Sequence, residues 1–456
     1  MERLQRKLEE LFGIDLRALG IFRICLALVI LIDLMMRATD LEAFYSDLGV
    51  LPRTLLLQES SAWRLSIYLI HGMPGVIGML FFLHGLAALG LLIGWHTRLA
   101  TLITWLFTVS LHLRNPAILN GGDFCFRLFL FWSLFLPLGR RYSFDNFLSP
   151  SPGKDRDRAL SMGTAGFLIQ VVFIYSWSLY MKAKYPDWWN GTAIYDILKE
   201  TYYTKSAGIF LLNFPGFVKI LTHSVFLFEA ALPLLLFSPF FTTFIRMATI
   251  LGTLLLQLGF GLCMSLGLFP LSMTIAMIPF IPSPIWDNLL RVREGEAKEG
   301  RFLKSSMGTN ILAAFFLIYI TFWNLGSSNY PRYQIPLRFA WLGWLLYIDQ
   351  YWGMYPSPCP YAYRFSMPAK LTDGTKIDVL NQVVSKNYRW RRYVGNLLVP
   401  SLPSDESYLA WYQCQRWNSA HESSKQMEGL AINLTWRYFS SSKPESQKKT
   451  LLKYTC

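Results

Sequence analysis

The residues best placed to do chemistry lie in YSWSLYMKAKYPDWWNG (175–191). An apolar run, residues 163–181, is long enough to cross a bilayer and ends in Lys182 and Lys184, with a Pro-Asp-Trp-Trp-Asn-Gly turn directly after. In a helix Lys182, Ser178 and Tyr175 share one face, because positions four and seven apart fall on one stripe. A lysine held at the edge of hydrocarbon gives up its proton more readily than one in water and can then serve as a base. The alternative is that both lysines snorkel to the headgroups above an aromatic belt of Trp188 and Trp189. Glu229, in a later apolar run, offers a counter-charge to Lys182, Lys184 or Arg127. Asn120 and Asp123 sit in a Gly-Gly turn, where they can line a substrate mouth or cap the helix that follows.

The elements that must carry these residues are membrane helices. Of 456 residues, 53% are hydrophobic and only 16% charged, whereas soluble domains carry about a quarter charged residues. The mean hydropathy is +0.31. The net charge of +14 gathers in short clusters beside apolar runs, where basic residues set topology and meet anionic lipid. No nucleic-acid partner follows from it. Residues 1–17 read as an amphipathic surface helix with no cleavage site behind it. Cys25, Cys125 and Cys263 fall in apolar runs as small core residues, while Cys359 and Cys414 could pair if their part of the chain faces an oxidising compartment.

At about 20 apolar residues per span, the sequence predicts nine spans. They cover 18–36, 76–94, 99–113, 124–138, 163–181, 219–238, 247–264, 267–282 and 308–325. Three basic clusters then share one side, which the positive-inside rule makes cytoplasmic. They are Arg3, Arg6, Lys7 and Arg17; Arg140, Arg141, Lys154, Arg156 and Arg158; and Arg291, Arg293, Lys298, Arg301 and Lys304. A multi-pass protein of the cell (inner) membrane is expected, with its amino terminus inside. The expected fold class is an all-α polytopic membrane domain (18–327) followed by a small outward α+β domain (328–456). In that domain 337–346 reads as a short interfacial helix, 365–380 as two strands around an Asp-Gly turn, and 431–439 as a half-buried strand. The basic tail 443–453 reads as a solvated end.

Taken in order, FYSDLGVLPR (44–53), RNPAILNGGD (114–123), PLGRRYSFD (137–145), MKAKYPDWWNG (181–191), FEAALPLLL (228–236) and DQYWGMYPSPCP (349–360) resemble the bacterial HTTM (horizontally transferred transmembrane domain) proteins. That family's membrane domain is shared with the vitamin K-dependent gamma-carboxylase of animals. The resemblance implies a membrane-edge lysine as base towards a reduced quinone, and this base maps onto Lys182 or Lys184, with Glu229 as its charge partner. Asn120, Asp123, Tyr175, Trp188 and Gln257 are the candidate substrate contacts beside it. Two departures stand against carboxylation itself. The animal enzyme has a histidine in the segment matching Asn120 to Phe124, where this chain reads NGGDF, and a second family histidine matches Gln257. A shared scaffold does not carry its activity with it.

Other ionisable groups in apolar runs are Arg23, Asp33, Arg127, His84 and His223. Such groups are costly in hydrocarbon and face the bundle interior or a cavity. Arg23 and Asp33 lie about 80° apart around one helix, so each calls for a partner on another element. The reading that follows is a membrane-embedded modification or maturation factor with an outward-facing site, whose partners are lipid and either a lipid-soluble quinone or an exported polypeptide. Gamma-glutamyl carboxylation is not expected. The competing reading is a non-catalytic transporter or assembly factor. No zinc spacing, P-loop or dinucleotide fingerprint is present.

Overall fold

The computed structural model describes residues 2–59, 63–150, 158–200, 203–290, 302–327, 334–355, 361–380, 387–399, 402, 404–438 and 446–456. Lys154, Arg156, Arg291, Arg293, Lys298, Arg301 and Cys359 lie outside them. The principal helices are α1 (Glu2–Phe12), α2 (Leu16–Ala38), α3 (Pro74–Ile93), α4 (Thr97–Arg114), α5 (Gly121–Ser133), α6 (Met162–Ala183) and α7 (Pro215–Leu236). They continue with α8 (Thr242–Cys263), α9 (Phe269–Ile275), α10 (Met307–Ser327), α11 (Leu337–Leu346), α12 (Tyr388–Asn396) and α13 (Glu406–Ala420). The strands are β1 (Ile14–Asp15), β2 (Arg158–Leu160), β3 (Phe302–Lys304), β4 (Tyr361–Ser366), β5 (Pro368–Leu371), β6 (Lys376–Asp378), β7 (Met427–Tyr438) and β8 (Ser446–Thr455).

Among the described residues six helices, α2, α3, α6, α7, α8 and α10, are long and apolar enough to cross a membrane. A helix pair bent by 94° between Phe280 and Ser283 makes up to seven. The nine expected from sequence are not reached, for three local reasons. Helix α4 buries Thr97, Thr101, Thr104, Thr108, His112 and Arg114, and these polar groups lower its hydropathy. Helix α5 has 13 residues, about 20 Å at 1.5 Å per residue, against a hydrocarbon core of about 30 Å. The run 267–282 is divided into short pieces: Pro270 opens α9 in its first turn, and Pro279 and Pro282 start the turn and the helix that follow.

One end of the bundle is tied by a small sheet. β1 pairs antiparallel with β2, and β2 pairs parallel with β3. Each strand directly precedes a long helix, so the starts of α2, α6 and α10 are held together. Arg17 is buried there, its guanidinium bonded to Asp15 at 2.9 and 2.7 Å and to Asp287 at 2.9 Å. Arg23 meets backbone rather than a carboxylate. It donates to the carbonyls of Leu91 (2.6 Å) and Leu92 (2.9 Å) at the end of α3, and to that of Tyr142. These carbonyls belong to a helix terminus that has no intrahelical donors left. Gly94 closes α3 at φ +72°, and a Cβ there would meet the Arg23 guanidinium at 2.5 Å, so glycine is needed for both conformation and space.

The opposite end is held by a buried charge network. Arg37 donates to Asp33 (2.6 Å), to the Tyr45 hydroxyl (2.6 Å) and to Asp123 (2.5 Å). Arg389 on α12 donates to Asp33, and to both oxygens of Asp123 at 3.2 and 3.3 Å. Asp33 therefore pairs within its own helix as well as with another element. Asp40 beside them accepts from Asn387 and from Trp390 Nε1 (3.0 Å). Burial pulls the pKa of Arg389 down; the carboxylates of Asp123 and Asp33 outweigh that and hold it well above the usual arginine value.

The carboxyl-terminal unit contains a five-stranded antiparallel sheet in which β7 pairs with β4, β5 and β8, and β5 with β6. The Asp373-Gly374 turn joins β5 to β6, with Gly374 at φ +83°, as the sequence leads one to expect. Two expectations are corrected here. The tail from Ser446 is not a loose end but strand β8, paired with β7; residues 447–450 and Lys453 stay exposed, while Leu451, Leu452 and Tyr454 pack against the core. Cys414 on α13 is bonded to Cys456, at the end of β8, rather than to Cys359. Removing one member of a buried ion pair leaves the other charge uncompensated, at a cost of roughly 3–5 kcal/mol. Arg389→Ala is therefore expected to loosen α12 from the helices, read as faster amide exchange in 388–396 with 162–183 unchanged; equal exchange in both variants would show that the network does not hold this contact.

Candidate functional site

Helix α6 starts at a capping box in which Ser161 and Thr164 exchange side-chain and backbone hydrogen bonds, and it runs unbroken to Ala183. Its face bearing Tyr175, Ser178 and Lys182 is buried, as the four- and seven-residue spacing predicts. Helix α7 packs against both α6 and α8 and places Glu229 opposite Lys182. The Lys182 Nζ lies 2.8 and 2.6 Å from the two Glu229 oxygens. It also sits 4.8 Å from the centre of the Trp188 ring, a cation–π contact. Both charged residues are nearly fully buried, at 4% and 3% exposure.

This pair lies on the wall of a cavity of about 790 Å³, within the size range of sites for small organic ligands. Tyr175, Ser178, Lys182, Trp188, Glu229, Gln257 and Asn120 all line it. Gln257 Nε2 donates to the Tyr175 hydroxyl at 3.1 Å. Four buried polar atoms on this wall have no hydrogen-bond partner among the described residues: Ser178 Oγ, Gln257 Oε1, Asn120 Nδ2 and Tyr388 Oη. Buried polar groups are nearly always paired, so four facing one cavity mark it as a place that receives polar atoms from elsewhere.

Not every expected residue meets there. Lys184 is exposed, caps α6, and lies over the Tyr180 ring at 4.3 Å, so the two candidate lysines part company. Trp188 is buried and donates to the Tyr355 carbonyl, whereas Trp189 is exposed, so only one of the pair suits a belt. Asp123 does not line the cavity. It completes the capping box with Asn120 at the start of α5 and spends its carboxylate on Arg37 and Arg389. The Asn120–Asp123 turn thus caps α5, with Asn120 accepting through Oδ1, and of the two residues Asn120 also lines the cavity. Arg127 donates to the Asp349 carbonyl at 2.7 Å, His84 meets Thr108, and His223 meets the Trp189 carbonyl.

The sequence reading missed the outer wall. Tyr388, Arg392 and Asn396 of α12 face the cavity, together with Tyr203 and Tyr355 from loops. Burial raises the phenols of Tyr203, Tyr355 and Tyr388 above the ordinary tyrosine value, so near neutral pH they remain donors. Gly267, at φ +61°, lets this wall close, since a Cβ there would stand 2.6 Å from the Tyr388 ring and 2.9 Å from Asn120 Nδ2. The one sequence signal was the helical spacing of 388, 392 and 396, hidden in a basic run that reads as a solvated face.

For a metal, the donor set that comes closest is Asp33, His112 and Asp123, whose ligand atoms lie within 4.8 Å of one another. Arg37 and Arg389 already meet both carboxylates, two cations against two anions, and the charge a divalent ion would bring is supplied by guanidinium. No family model matches the chain, and no curated protein or solved structure is similar to it.

A buried lysine–glutamate pair is costly to break and often neutral to replace as a unit. Lys182→Met alone is expected to destabilise the protein by roughly 3–5 kcal/mol, while Lys182→Met with Glu229→Leu recovers most of the loss, measured by reversible unfolding in mixed detergent. A double variant as unstable as the single one would show that the two side chains do not act as a pair.

Proposed function

We propose that the protein is a membrane-embedded modification factor of the HTTM type, with Lys182 as a base whose charge partner is Glu229. The observation that carries this reading is a buried lysine–carboxylate pair on the wall of a cavity whose lining residues also carry four buried polar atoms without a hydrogen-bond partner among the described residues. Moving one proton from Nζ to the carboxylate 2.6 Å away converts ammonium and carboxylate into amine and carboxylic acid. Both forms are neutral overall. The amine can then take a proton from an acidic hydroxyl brought into the cavity, with Ser178, Gln257 and Asn120 as the groups that orient it.

The ligand reaches this site from the membrane in our reading. Ser224 on α7 and Leu255 and Gly259 on α8 line the cavity and are exposed on the outer side of the bundle, among exposed Leu227, Leu251, Leu258 and Leu262. The opening therefore lies in an apolar surface. A reduced quinone, the cofactor that the family resemblance suggests, fits such a cavity. When bound it would supply two electrons and an acidic phenol. Ser178 and Gln257 would hold its oxygen near Lys182, and Leu221, Phe228 and Leu256 would surround its apolar part. The two departures from the animal carboxylase leave gamma-carboxylation outside this proposal.

The topology we propose keeps the tied end cytoplasmic and the carboxyl-terminal unit outside. Arg17, Arg23, Arg140, Arg141 and Arg158 support the first part, and the Cys414–Cys456 bond, which belongs in an oxidising compartment, supports the second. Helix α4 starts beside Asp145 at the tied end and finishes with Arg114 on the carbonyls of Leu51 and Ser46 at the other. With α5 and the bent α9 segment returning between the same ends, nine passes remain our reading, three of them clothed by protein rather than lipid.

Two measurements test this. In cells, Cys414 and Cys456 are expected to resist a thiol reagent until reduced; ready labelling without reductant would put the unit in a reducing compartment. For the chemistry, purified protein in detergent is titrated with a reduced prenylated naphthoquinone, reading tryptophan quenching and oxygen uptake. Saturable quenching with oxygen uptake that Lys182→Gln abolishes is the expected result. Quenching without uptake would leave the transporter or assembly reading, and neither would reject a quinone ligand.

A further inference from the structure

The proton transfer at Lys182 leaves one polar side chain of the cavity wall without a part. Tyr175 lines the cavity and is 4% exposed. Its hydroxyl accepts from Gln257 Nε2 at 3.1 Å, and no group among the described residues accepts its own hydrogen. With the oxygen held in this way, that hydrogen points away from the Gln257 amide. The unpartnered atom of Gln257 is Oε1, which is buried and can only accept. The two side chains are therefore complementary. Gln257 suits a neutral hydroxyl and repels an anion, while Tyr175 suits the anion. Tyr175, Ser178 and Lys182 lie on one buried face of α6, and Glu229 is near enough for its charge to act on the Tyr175 hydroxyl.

We propose that Tyr175 donates the hydrogen bond that stabilises the oxyanion left on the ligand when Lys182 takes its proton. This rests on Lys182 serving as the base. In that step the ligand O–H bond breaks, the proton becomes the third N–H of Lys182, and the oxygen keeps the electron pair. The new charge appears in a buried site, where a donor already in place is worth far more than in water. Ser178 can donate as well, but its hydroxyl is free to turn, whereas Gln257 fixes that of Tyr175. The ligand class that uses both groups carries an acidic hydroxyl on an aromatic ring. It donates to Gln257 Oε1 before the transfer and accepts from Tyr175 after it. An aliphatic alcohol holds its proton too tightly for an amine to take.

The test uses the full chain in detergent and a dodecyl nitrophenol, whose anion absorbs visible light and whose neutral form does not. Its methyl ether, which has no proton to lose, reports binding alone through tryptophan quenching. At a pH where the free probe is neutral, the wild type is expected to bind it as the anion, and Lys182→Gln as the phenol. Tyr175→Phe is expected to bind the ether as the wild type does, yet to shift bound probe from anion to phenol by roughly ten- to hundredfold, the size of one hydrogen bond to a charged group. Gln257→Leu, which frees the Tyr175 hydroxyl to turn, should shift it in the same direction by less. An anion fraction unchanged in both Tyr175→Phe and Gln257→Leu, with the ether still bound, would overturn the Tyr175 assignment and leave the Lys182 base standing. An anion kept in Lys182→Gln but lost in Tyr175→Phe would do the reverse. A wild type that binds the ether and never forms the anion would overturn both.

Discussion

The contact on which the rest of the structure depends is the set of bonds between Asp33, Arg37, Asp123 and Arg389. It joins the end of α2, the start of α5 and helix α12 of the carboxyl-terminal unit in one buried cluster. Such a cluster adds little net stability over a well-packed apolar contact, because each charge must be taken out of water. What it supplies is position. Guanidinium and carboxylate meet in a narrow range of geometries, so Arg389 fixes the rotation of α12. With Arg389 and Trp390 turned to the network, Tyr388 and Arg392 are left facing the cavity.

The same turn serves the site from the other side. Asp123 anchors the network while Asn120, three residues earlier, caps the helix through one amide atom and presents the other to the cavity. The cavity wall is thus assembled from parts of the chain far apart in sequence, around a lysine that a single helix presents. Lys182 is held against Glu229 and Trp188, neither of which lies on its own helix. This is the pattern expected where a charge is kept in an apolar place for a purpose. The ion pair satisfies the charge, and the unpaired atoms around it remain available to a ligand.

Much of the site was legible in the sequence. Lys182, Ser178 and Tyr175 could be placed on one face because helical spacing is a local property. Glu229 could be named as a charge partner because an acidic residue in an apolar run needs a cation nearby. Between Lys182 and Lys184 the stripe with Ser178 and Tyr175 favours Lys182, and the structure buries Lys182 and exposes Lys184. Arg23 called for a partner on another element, and backbone carbonyls took that place. Hydropathy marks six spans rather than nine where packing overrides it: α4 can carry buried threonines because its neighbours cover them. The pairing of Cys414 was lost to topology, because β8 brings a terminal cysteine back over α13.

The buried arginines are used in two ways, and the difference bears on the net charge of +14. Arg17, Arg37 and Arg389 meet carboxylates, which match their charge. Arg23 and Arg246 are spent on the carbonyls of Leu91, Leu92, Leu236 and Leu11. A carbonyl satisfies the hydrogen bonds of a guanidinium but leaves its charge uncancelled. Capping helix termini with arginine therefore does two things at once. It closes the bundle where the backbone has unpaired acceptors, and it leaves a positive charge in place there, of the kind to which the positive-inside rule responds.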